Sequence, residues 1–386
     1  MELTKKQEEG LKIAIARYRA HEKYTVIAGY AGTGKSTLVR FIIEALNVPE
    51  DRICYATFTG KAAEVLRKKG NKNACTLHKL LYESYPKRDG GFWHRPRVSI
   101  SYSIVVVDEV SMAPKELMTL LFSHHCHVIC LGDPFQLPPI NKNDDNHLLD
   151  NPHIFLDEVM RQAQDSAIIR LTMAIRNNEP IANITGEEIK ILPQKELNTG
   201  MLTWADQILV ATNEKRINLN NQIRTLLQRG DAPEDGDKVV CLRNYWEVCD
   251  NEGSPLVNGT IGILNDSFAT SRHVPRESLQ FSVTMGDFLT DTGVYSSLEM
   301  DTQMILTGEK CCDWKTAYRL EKKMAGIVPL EFTYGYAITC HKAQGSEWGK
   351  VLVIEEKFPF KAEEHARWLY TACTRASEKL VLVTKE

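Results

Sequence analysis

A glycine-rich segment near the start of the chain has the composition and spacing of a phosphate-binding loop. It follows a run of apolar residues and precedes a helical pattern at Thr37–Leu46. Glycines let backbone N–H groups wrap around phosphates, and a helix N-terminus adds its own N–H groups. Lys35 is expected to contact the β and γ phosphates of a nucleotide, and the Ser36 hydroxyl to hold Mg²⁺. A glycine turn without a ligand is the alternative, which the Lys-Ser pair disfavours. The loop and the residue after it are Gly29, Tyr30, Ala31, Gly32, Thr33, Gly34, Lys35, Ser36 and Thr37.

Polar side chains also follow two further predicted strands. Asp108 and Glu109 come directly after three valines, and Gln136 follows Gly132 in a proline-rich turn. We expect Asp108 to hold Mg²⁺, Glu109 to orient and deprotonate a water molecule, and Gln136 to sense the γ-phosphate. Acidic pairs at strand ends are often only solvated, and prolines often only stiffen a turn. Because parallel strands end at one edge of a sheet, the phosphate loop beside them favours catalysis.

Phosphoryl transfer also needs cations that stabilise the developing charge. Arg161 and Arg375 are the candidates, in the segments LDEVMRQ and YTACTRA. A single arginine is usually a surface residue, so the residues alone leave both interpretations open.

The arrangement of strands and helices predicts an α/β fold. Strands are expected at Tyr24–Ala28, Ile53–Phe58, Ser103–Asp108 and His127–Gly132, separated by helical stretches. The pattern is interrupted by a hairpin at about 83–102 and by a β-rich segment at about 237–328, and it resumes from Tyr334. We therefore predict two α/β domains, residues 1–175 and 176–386, each with one insertion.

The composition of the chain excludes several classes of protein. The 386 residues carry a net charge of −3, which argues against a uniformly basic coat but allows a local basic channel. No apolar run approaches the length of a membrane span, and the N-terminus lacks a secretory signal. The ten cysteines include no CxxC pair. A soluble cytoplasmic protein with reduced thiols is expected.

A histidine- and cysteine-rich run, His124–Cys130, raises the alternative of a zinc site. The spacing differs from that of the usual paired ligands, and Cys130 lies inside a predicted buried strand. A structural or surface role is favoured.

Taken together, these segments resemble superfamily 1B helicases of the RecD/Dda branch, over nearly the whole chain. Further matching segments are Ala56–Ala63, Thr76–His78, Ala211–Arg216, Asn258–Gly262 and Thr339–Glu347. The resemblance implies two RecA-like P-loop NTPase domains, a β-hairpin pin in the first and an SH3-like β-barrel in the second. It also implies ATP and Mg²⁺ as cofactors, Arg161 and Arg375 at the γ-phosphate, and 5′ to 3′ movement along single-stranded DNA in a compact, Dda-like motor.

The resemblance further assigns binding residues. Gln7, Gly345 and Glu347 are expected to contact ATP. Hydroxyls and cations that hold phosphates without reading sequence are expected to line the DNA track. These residues are Thr57, Lys61, Thr76, His78, Thr212, Asn213, Thr339, His341 and Lys342. For each of them, a local capping role is the alternative.

The hairpin falls where this branch carries its pin, the wedge that meets duplex DNA at a fork. Phe92 or Trp93 is expected to stack on the last base pair. Aromatic residues beside a hairpin turn also often pack against their own domain, and this alternative stays open.

The expected function is thus an ATP-dependent DNA helicase in replication, repair or recombination, acting as a monomer on single-stranded and forked DNA. A translocating ATPase with little unwinding and a nucleotide-gated DNA clamp are the alternatives. The residues do not distinguish DNA from RNA as the track, and they identify no protein partner among single-strand-binding or replication and repair proteins.

Overall fold

The computed structural model describes residues 3–68, 70–86, 92–138, 143, 145–160, 165–253, 255–275, 277–291, 293–324, 326–356 and 361–385. The chain forms two compact units. The first contains Met1–Tyr82, Pro96–Leu197 and Ala343–Glu386, and the second contains Glu83–Arg95 and Asn198–Lys342. This division groups residues that pack closely with one another. The two domains expected from the motifs, which meet at residue 175, stay a prediction.

The first unit is built from parallel strands with helices between them. Its helices are α1 (Lys5–Arg19), α2 (Lys35–Leu46), α3 (Gly60–Lys68), α4 (Leu77–Leu81), α5 (Lys115–Phe122), α6 (Ala167–Asn177) and α12 (Ala362–Cys373). Its strands are β1 (Tyr24–Gly29), β2 (Ile53–Thr57), β3 (Ala74–Thr76), β6 (Ile104–Val107), β7 (His127–Gly132), β8 (Ile154–Leu156), β9 (Ile189–Pro193), β19 (Trp348–Ile354) and β20 (Ala376–Thr384).

Six of these strands form one parallel sheet in the order β3-β2-β6-β7-β1-β8. Parallel sheets are covered on both faces, and β6 and β7 are accordingly buried along their whole length. The order places β1 beside β7 and β7 beside β6. Gly29 and Gly132 end β1 and β7, and Asp108 directly follows β6, so all three lie at the same edge of the sheet. Within the same unit β9, β20 and β19 pair in parallel.

The second unit contains most of the antiparallel structure. Its helices are α7 (Thr199–Trp204), α8 (Asn213–Leu226), α9 (Thr302–Thr307) and α10 (Trp314–Lys323), with α11 (Cys340–Ala343) at its end. Its strands are β4 (Tyr82–Pro86), β5 (Phe92–Pro96), β10 (Gln207–Val210), β11 (Lys238–Cys241), β12 (Tyr245–Cys249), β13 (Pro255–Leu256), β14 (Ile261–His273), β15 (Gln280–Leu289), β16 (Val294–Asp301), β17 (Phe332–Tyr334) and β18 (Ala337–Thr339).

The predicted β-rich segment is a five-stranded antiparallel sheet in the order β16-β15-β14-β11-β17, together with the pair β12-β13. Buried aromatic side chains, among them Phe288, Tyr295 and Phe332, fill its core. The only parallel pair described in this unit is β10 with β18. That this segment is an SH3-like barrel stays a prediction.

The predicted hairpin has its two strands, β4 and β5, which pair with each other. The turn at residues 87–91 lies outside the described residues, as do the side chains of Phe92 and Trp93. Within the described part of the chain, no helix combines the length and the apolar character that a membrane crossing requires.

Candidate active site

The loop between β1 and α2 has the backbone that phosphate binding requires. Gly34 has φ = 77°, and a side chain there would collide with Gln7 and Met160. At Gly29 a Cβ atom would lie 2.7 Å from Thr33 Oγ1 and 2.9 Å from the Leu156 carbonyl oxygen. Helix α2 begins at Lys35 without a side-chain cap, so the first N–H groups of the helix remain available to an anion.

Lys35 and Gln7 both contact this loop. Lys35 Nζ donates to the carbonyl oxygens of Gly29 (2.7 Å) and Tyr30 (3.0 Å). Gln7 is buried, and its Nε2 donates to the carbonyl oxygens of Thr33 (3.3 Å) and Gly34 (3.4 Å). Gln7 also closes a capping box with Thr4 at the start of α1. The structure therefore brings Gln7 to the loop, and its predicted reading of adenine stays a prediction.

Glu109, Gln136 and Arg375 meet at the carboxyl edge of the sheet, all within the first unit. Arg375 Nη1 lies 3.6 Å from Glu109 Oε1. With the Gln136 amide oriented to satisfy both neighbours, its Nε2 donates to Glu109 Oε2 (2.8 Å) and its Oε1 accepts from Arg375 Nη2 (3.0 Å). The sequence predicted all three as catalytic candidates, although Arg375 lies more than 200 residues from the other two, and the structure joins them directly.

The backbone around this group is specialised. Glu109 adopts a left-handed conformation (φ = 53°), which is uncommon for a residue with a side chain and costs about 1 kcal/mol or more. Its N–H donates to Asp108 Oδ1 (2.9 Å). Arg375 is 4% exposed and is held by the carbonyl oxygens of Thr371 (3.2 Å) and Ser346 (3.4 Å). Both charged groups are thus held in place before any substrate contact.

Tyr370 is a functional candidate that the sequence reasoning missed. Its hydroxyl donates to Asp133 Oδ2 (2.6 Å) and accepts from the Ala31 N–H of the phosphate loop (2.8 Å). Burial raises the pKa of Asp133, although Lys35, the Tyr370 hydroxyl and the Phe135 N–H all favour the carboxylate. Tyr370 therefore links the phosphate loop to the turn that carries Gln136.

The rest of α12 strengthens this link. Thr371 Oγ1 accepts from the Leu137 N–H (2.9 Å), and Arg367 donates to the Pro134 carbonyl oxygen (3.2 Å). Residues 367, 370 and 371 recur at helical spacing, so they lie on one face of α12. That spacing was the signal in the sequence that could have identified Tyr370.

Replacing Tyr370 with Phe is expected to lower the free energy of unfolding by about 1–3 kcal/mol. The change removes one donor from the buried Asp133 carboxylate and one acceptor from Ala31. Urea denaturation monitored by circular dichroism measures the loss. Tyr318→Phe, at a hydroxyl on a 67% exposed side chain, is the matched control and should stay within about 0.5 kcal/mol of the unchanged chain. Equal stabilities for both variants would contradict the link.

Other predicted residues lie elsewhere or outside the described part. Arg161 is outside it. Gly345 (φ = 76°) approaches Ala62 and Thr59 of the α3 region, and the described contacts do not bring it to the phosphate loop. Glu347 is exposed. The ATP contacts predicted for Gly345 and Glu347 therefore stay predictions.

The predicted DNA-track residues divide between the units. Thr57, Lys61, Thr76 and His78 are in the first, and the remaining five, Thr212, Asn213, Thr339, His341 and Lys342, are in the second. Thr76 and Thr212 cap α4 and α8 through bonds to Lys79 N and Lys215 N. The Thr57 hydroxyl donates to the Thr59 carbonyl oxygen (2.8 Å). The capping alternative thus holds for two of these hydroxyls, and the contacts with DNA stay predictions.

The histidine–cysteine run has structural contacts. Cys130 is buried in β7, and the two ring nitrogens of His127 contact Thr25 Oγ1 (3.0 Å) and the Glu22 carbonyl oxygen (2.7 Å). Among the described residues, no group of three or more His, Cys, Asp or Glu side chains is placed to hold a metal ion.

Comparison with known proteins finds two matching families. Residues 2–193 match the AAA domain family, and residues 334–383 match the UvrD-like helicase C-terminal domain family. The fold and the glycine-rich loop thus define a P-loop α/β protein, and its sequence contains both an AAA domain and a UvrD-like helicase C-terminal domain. The chain is similar in sequence to ATP-dependent DNA helicases of the RecD and Dda type.

Three similar proteins illustrate the relationship. The ATP-dependent RecD2 DNA helicase of Deinococcus radiodurans is 26% identical over 97% of this chain and 49% of its own length. The ATP-dependent DNA helicase dda of Enterobacteria phage T4 is 28% identical over 47% of this chain and 42% of its own length. The chain thus spans about half the length of these curated relatives at most. The crystal structure of Pif1 helicase from Candida albicans shares the fold, with a TM-score of 0.52, 19% identity and coverage of 100% of this chain and 94% of that one.

Proposed function

We propose that this chain is an ATP-dependent DNA helicase that moves 5′ to 3′ on single-stranded DNA and unwinds duplex DNA. The observation that carries the proposal is the direct contact of Glu109, Gln136 and Arg375 beside the phosphate loop. A base, a polar sensor and a cation at one edge of a P-loop sheet are the parts that nucleotide hydrolysis needs.

The roles follow from position. The backbone of residues 29–34 and the first turn of α2 bind the β and γ phosphates, with Lys35 supplying charge. The Glu109 carboxylate orients and deprotonates the attacking water, because it is the acidic group in contact with Gln136 and Arg375 at the sheet edge. Arg375 stabilises the charge that develops on the γ-phosphate. Gln136, bonded to both, couples the positions of Glu109 and Arg375.

The residues also fit a magnesium ion. Ser36 offers a hydroxyl in the first turn of α2, and Asp108 offers a carboxylate after β6. Hydroxyl and carboxylate oxygens are the donors that Mg²⁺ prefers. When bound, the ion neutralises charge on the β and γ phosphates. Ser36 and Asp108 are the residues that would hold it.

The motor is proposed to comprise two RecA-like domains, 1–175 and 176–386, with an SH3-like insertion at about 237–328. Single-stranded DNA would contact residues of both domains. In the first domain these are Thr57, Lys61, Thr76 and His78, and in the second they are Thr212, Asn213, Thr339, His341 and Lys342. Arg161 is proposed to assist Arg375. The β4–β5 hairpin is proposed as the pin, with Phe92 and Trp93 meeting the duplex.

Two alternatives differ from the helicase in measurable ways. A translocase without unwinding hydrolyses ATP along single strands but releases no strand from a fork. A nucleotide-gated clamp binds DNA without sustained turnover.

The experiment that separates them measures two rates on one preparation. The first is steady-state ATP hydrolysis as single-stranded DNA is added, and the second is strand release from a duplex with a 5′ tail. A helicase is expected to show stimulation by the single strand and ATP-dependent release. ATP hydrolysis that does not respond to single-stranded DNA would favour the clamp, and stimulation without release would favour the translocase.

A further inference from the structure

A basic pocket of about 450 Å³ lies in the first unit, beside the edge strand β3. Its cations are Arg67, Lys72, Lys79 and Arg97, and none of the described residues that line it is acidic. Acidic residues outnumber basic ones in the whole chain, 50 to 47. The pocket therefore carries positive charge although the chain as a whole is slightly negative, and this local positive charge attracts anions.

The donors in this pocket suit phosphate. Lys72 and Lys79 are exposed, as are the hydroxyl-bearing lining residues Ser99 and Ser101. Arginine, lysine and hydroxyl groups together are the set that proteins use to hold phosphodiester oxygens without reading bases.

Most of the pocket lining lies away from the sites described above, and Lys79 adjoins the predicted track residues Thr76 and His78. Asn73 and Ala74 lie at the start of β3, and Ser101 and Tyr102 precede β6, so these walls lie toward the amino ends of the strands. The nucleotide site and the predicted track lie at the carboxyl ends. A phosphate in the pocket therefore belongs to a different segment of nucleic acid from the one that follows the track.

Two of the pocket cations lie next to the hairpin along the chain, one before it and one after it. Lys79 lies in α4, directly before β4, and Arg97 directly follows β5. The Arg97 N–H donates to the Leu81 carbonyl oxygen (2.8 Å), which ties together the two chain segments that lead into and out of the hairpin. The phosphates nearest to a hairpin that splits a fork belong to the duplex ahead of it.

We propose that this pocket binds the phosphodiester backbone of the duplex arm of a forked substrate. The proposal rests on the proposed helicase function, because it assigns the hairpin to the fork. It adds a second, sequence-independent DNA contact that holds the duplex in place while the single strand is moved.

The test compares a triple variant, R67A/K72A/K79A, with a control that removes three exposed cations elsewhere, K12A/R40A/K322A. Binding is measured without ATP, so the result does not depend on hydrolysis. The pocket variant is expected to bind a 5′-tailed fork about tenfold more weakly, and a single strand of the tail length less than twofold more weakly. The slope of log K against log salt for the fork should fall by about 2–3, because each lost phosphate contact contributes about 0.9. The control should leave the affinity for the fork within about twofold.

Cys75 supplies a readout inside the pocket itself. It lines the cavity and is half-buried, whereas Cys249 is exposed elsewhere. Duplex DNA is expected to slow alkylation of Cys75 by iodoacetamide, measured by mass spectrometry, and to leave Cys249 unchanged. Equal protection by a single strand or by inorganic phosphate, or equal weakening of fork and single-strand binding, would overturn the duplex assignment. If the unchanged chain unwinds forks while the triple variant binds them normally, the pocket proposal fails and the helicase proposal stands.

Discussion

Replacing Glu109 with Gln is expected to lower the rate of ATP hydrolysis by about 10²–10⁴-fold while ATP still binds. The amide keeps the size of the side chain and can still accept from one of its two donor neighbours, Gln136 or Arg375, but it cannot accept a proton. Glu109 is held 2.8 Å from Gln136 and 3.6 Å from Arg375, so the loss reflects chemistry rather than position.

Two measurements check this expectation on the same protein. Steady-state hydrolysis in the presence of single-stranded DNA gives kcat, and titration with a fluorescent ATP analogue gives the dissociation constant. Glu116→Gln, at an exposed position on α5, is the matched control and should hydrolyse ATP normally. A Glu109→Gln variant with more than a third of the original kcat would exclude Glu109 as the base.

Replacing Arg375 with Ala is expected to lower kcat for ATP hydrolysis by about 10³–10⁵-fold. Arg375 is the buried cation that contacts both Glu109 and Gln136, and its guanidinium is also held by backbone carbonyl oxygens. Arg375→Lys keeps the charge but loses the planar fork, so we expect an intermediate rate.

Stability separates this catalytic effect from a folding defect. Removing one partner from a buried ion pair costs up to about 3–5 kcal/mol, so Tm is measured for both variants. Arg40→Ala, at an exposed ion pair on α2, is the control. If the folded Ala variant kept a tenth of the original kcat, the assignment of Arg375 to the γ-phosphate would be wrong.

Much of the first unit could be predicted from the sequence, because its strands are short apolar runs that end in polar turns. The expected strand at 127–132 is observed at His127–Gly132, and that at 24–28 is observed at Tyr24–Gly29. The phosphate loop was predicted for the same reason, since only glycine at positions 29 and 34 allows its backbone. Local composition and spacing are sufficient for such features.

Features that depend on distant contacts could not be predicted in this way. The sequence named Glu109, Gln136 and Arg375 separately, but no local pattern states that Gln136 lies between the other two. Tyr370 lay within a quoted motif and received no role, because its partners Ala31 and Asp133 are more than 200 residues away. The order of the antiparallel strands in the second unit depends on pairing across long stretches of chain, which alternation of residue types does not determine.

The central claim is that hydrolysis at this site moves the chain along one strand and opens a duplex. Single-turnover strand release from two substrates, one with a 5′ tail and one with a 3′ tail, tests it most directly, with Glu109→Gln as the inactive control. The account predicts ATP-dependent release from the 5′-tailed substrate and none from the 3′-tailed substrate. Release from the 3′-tailed substrate alone, or from neither while ATP is consumed, would contradict it.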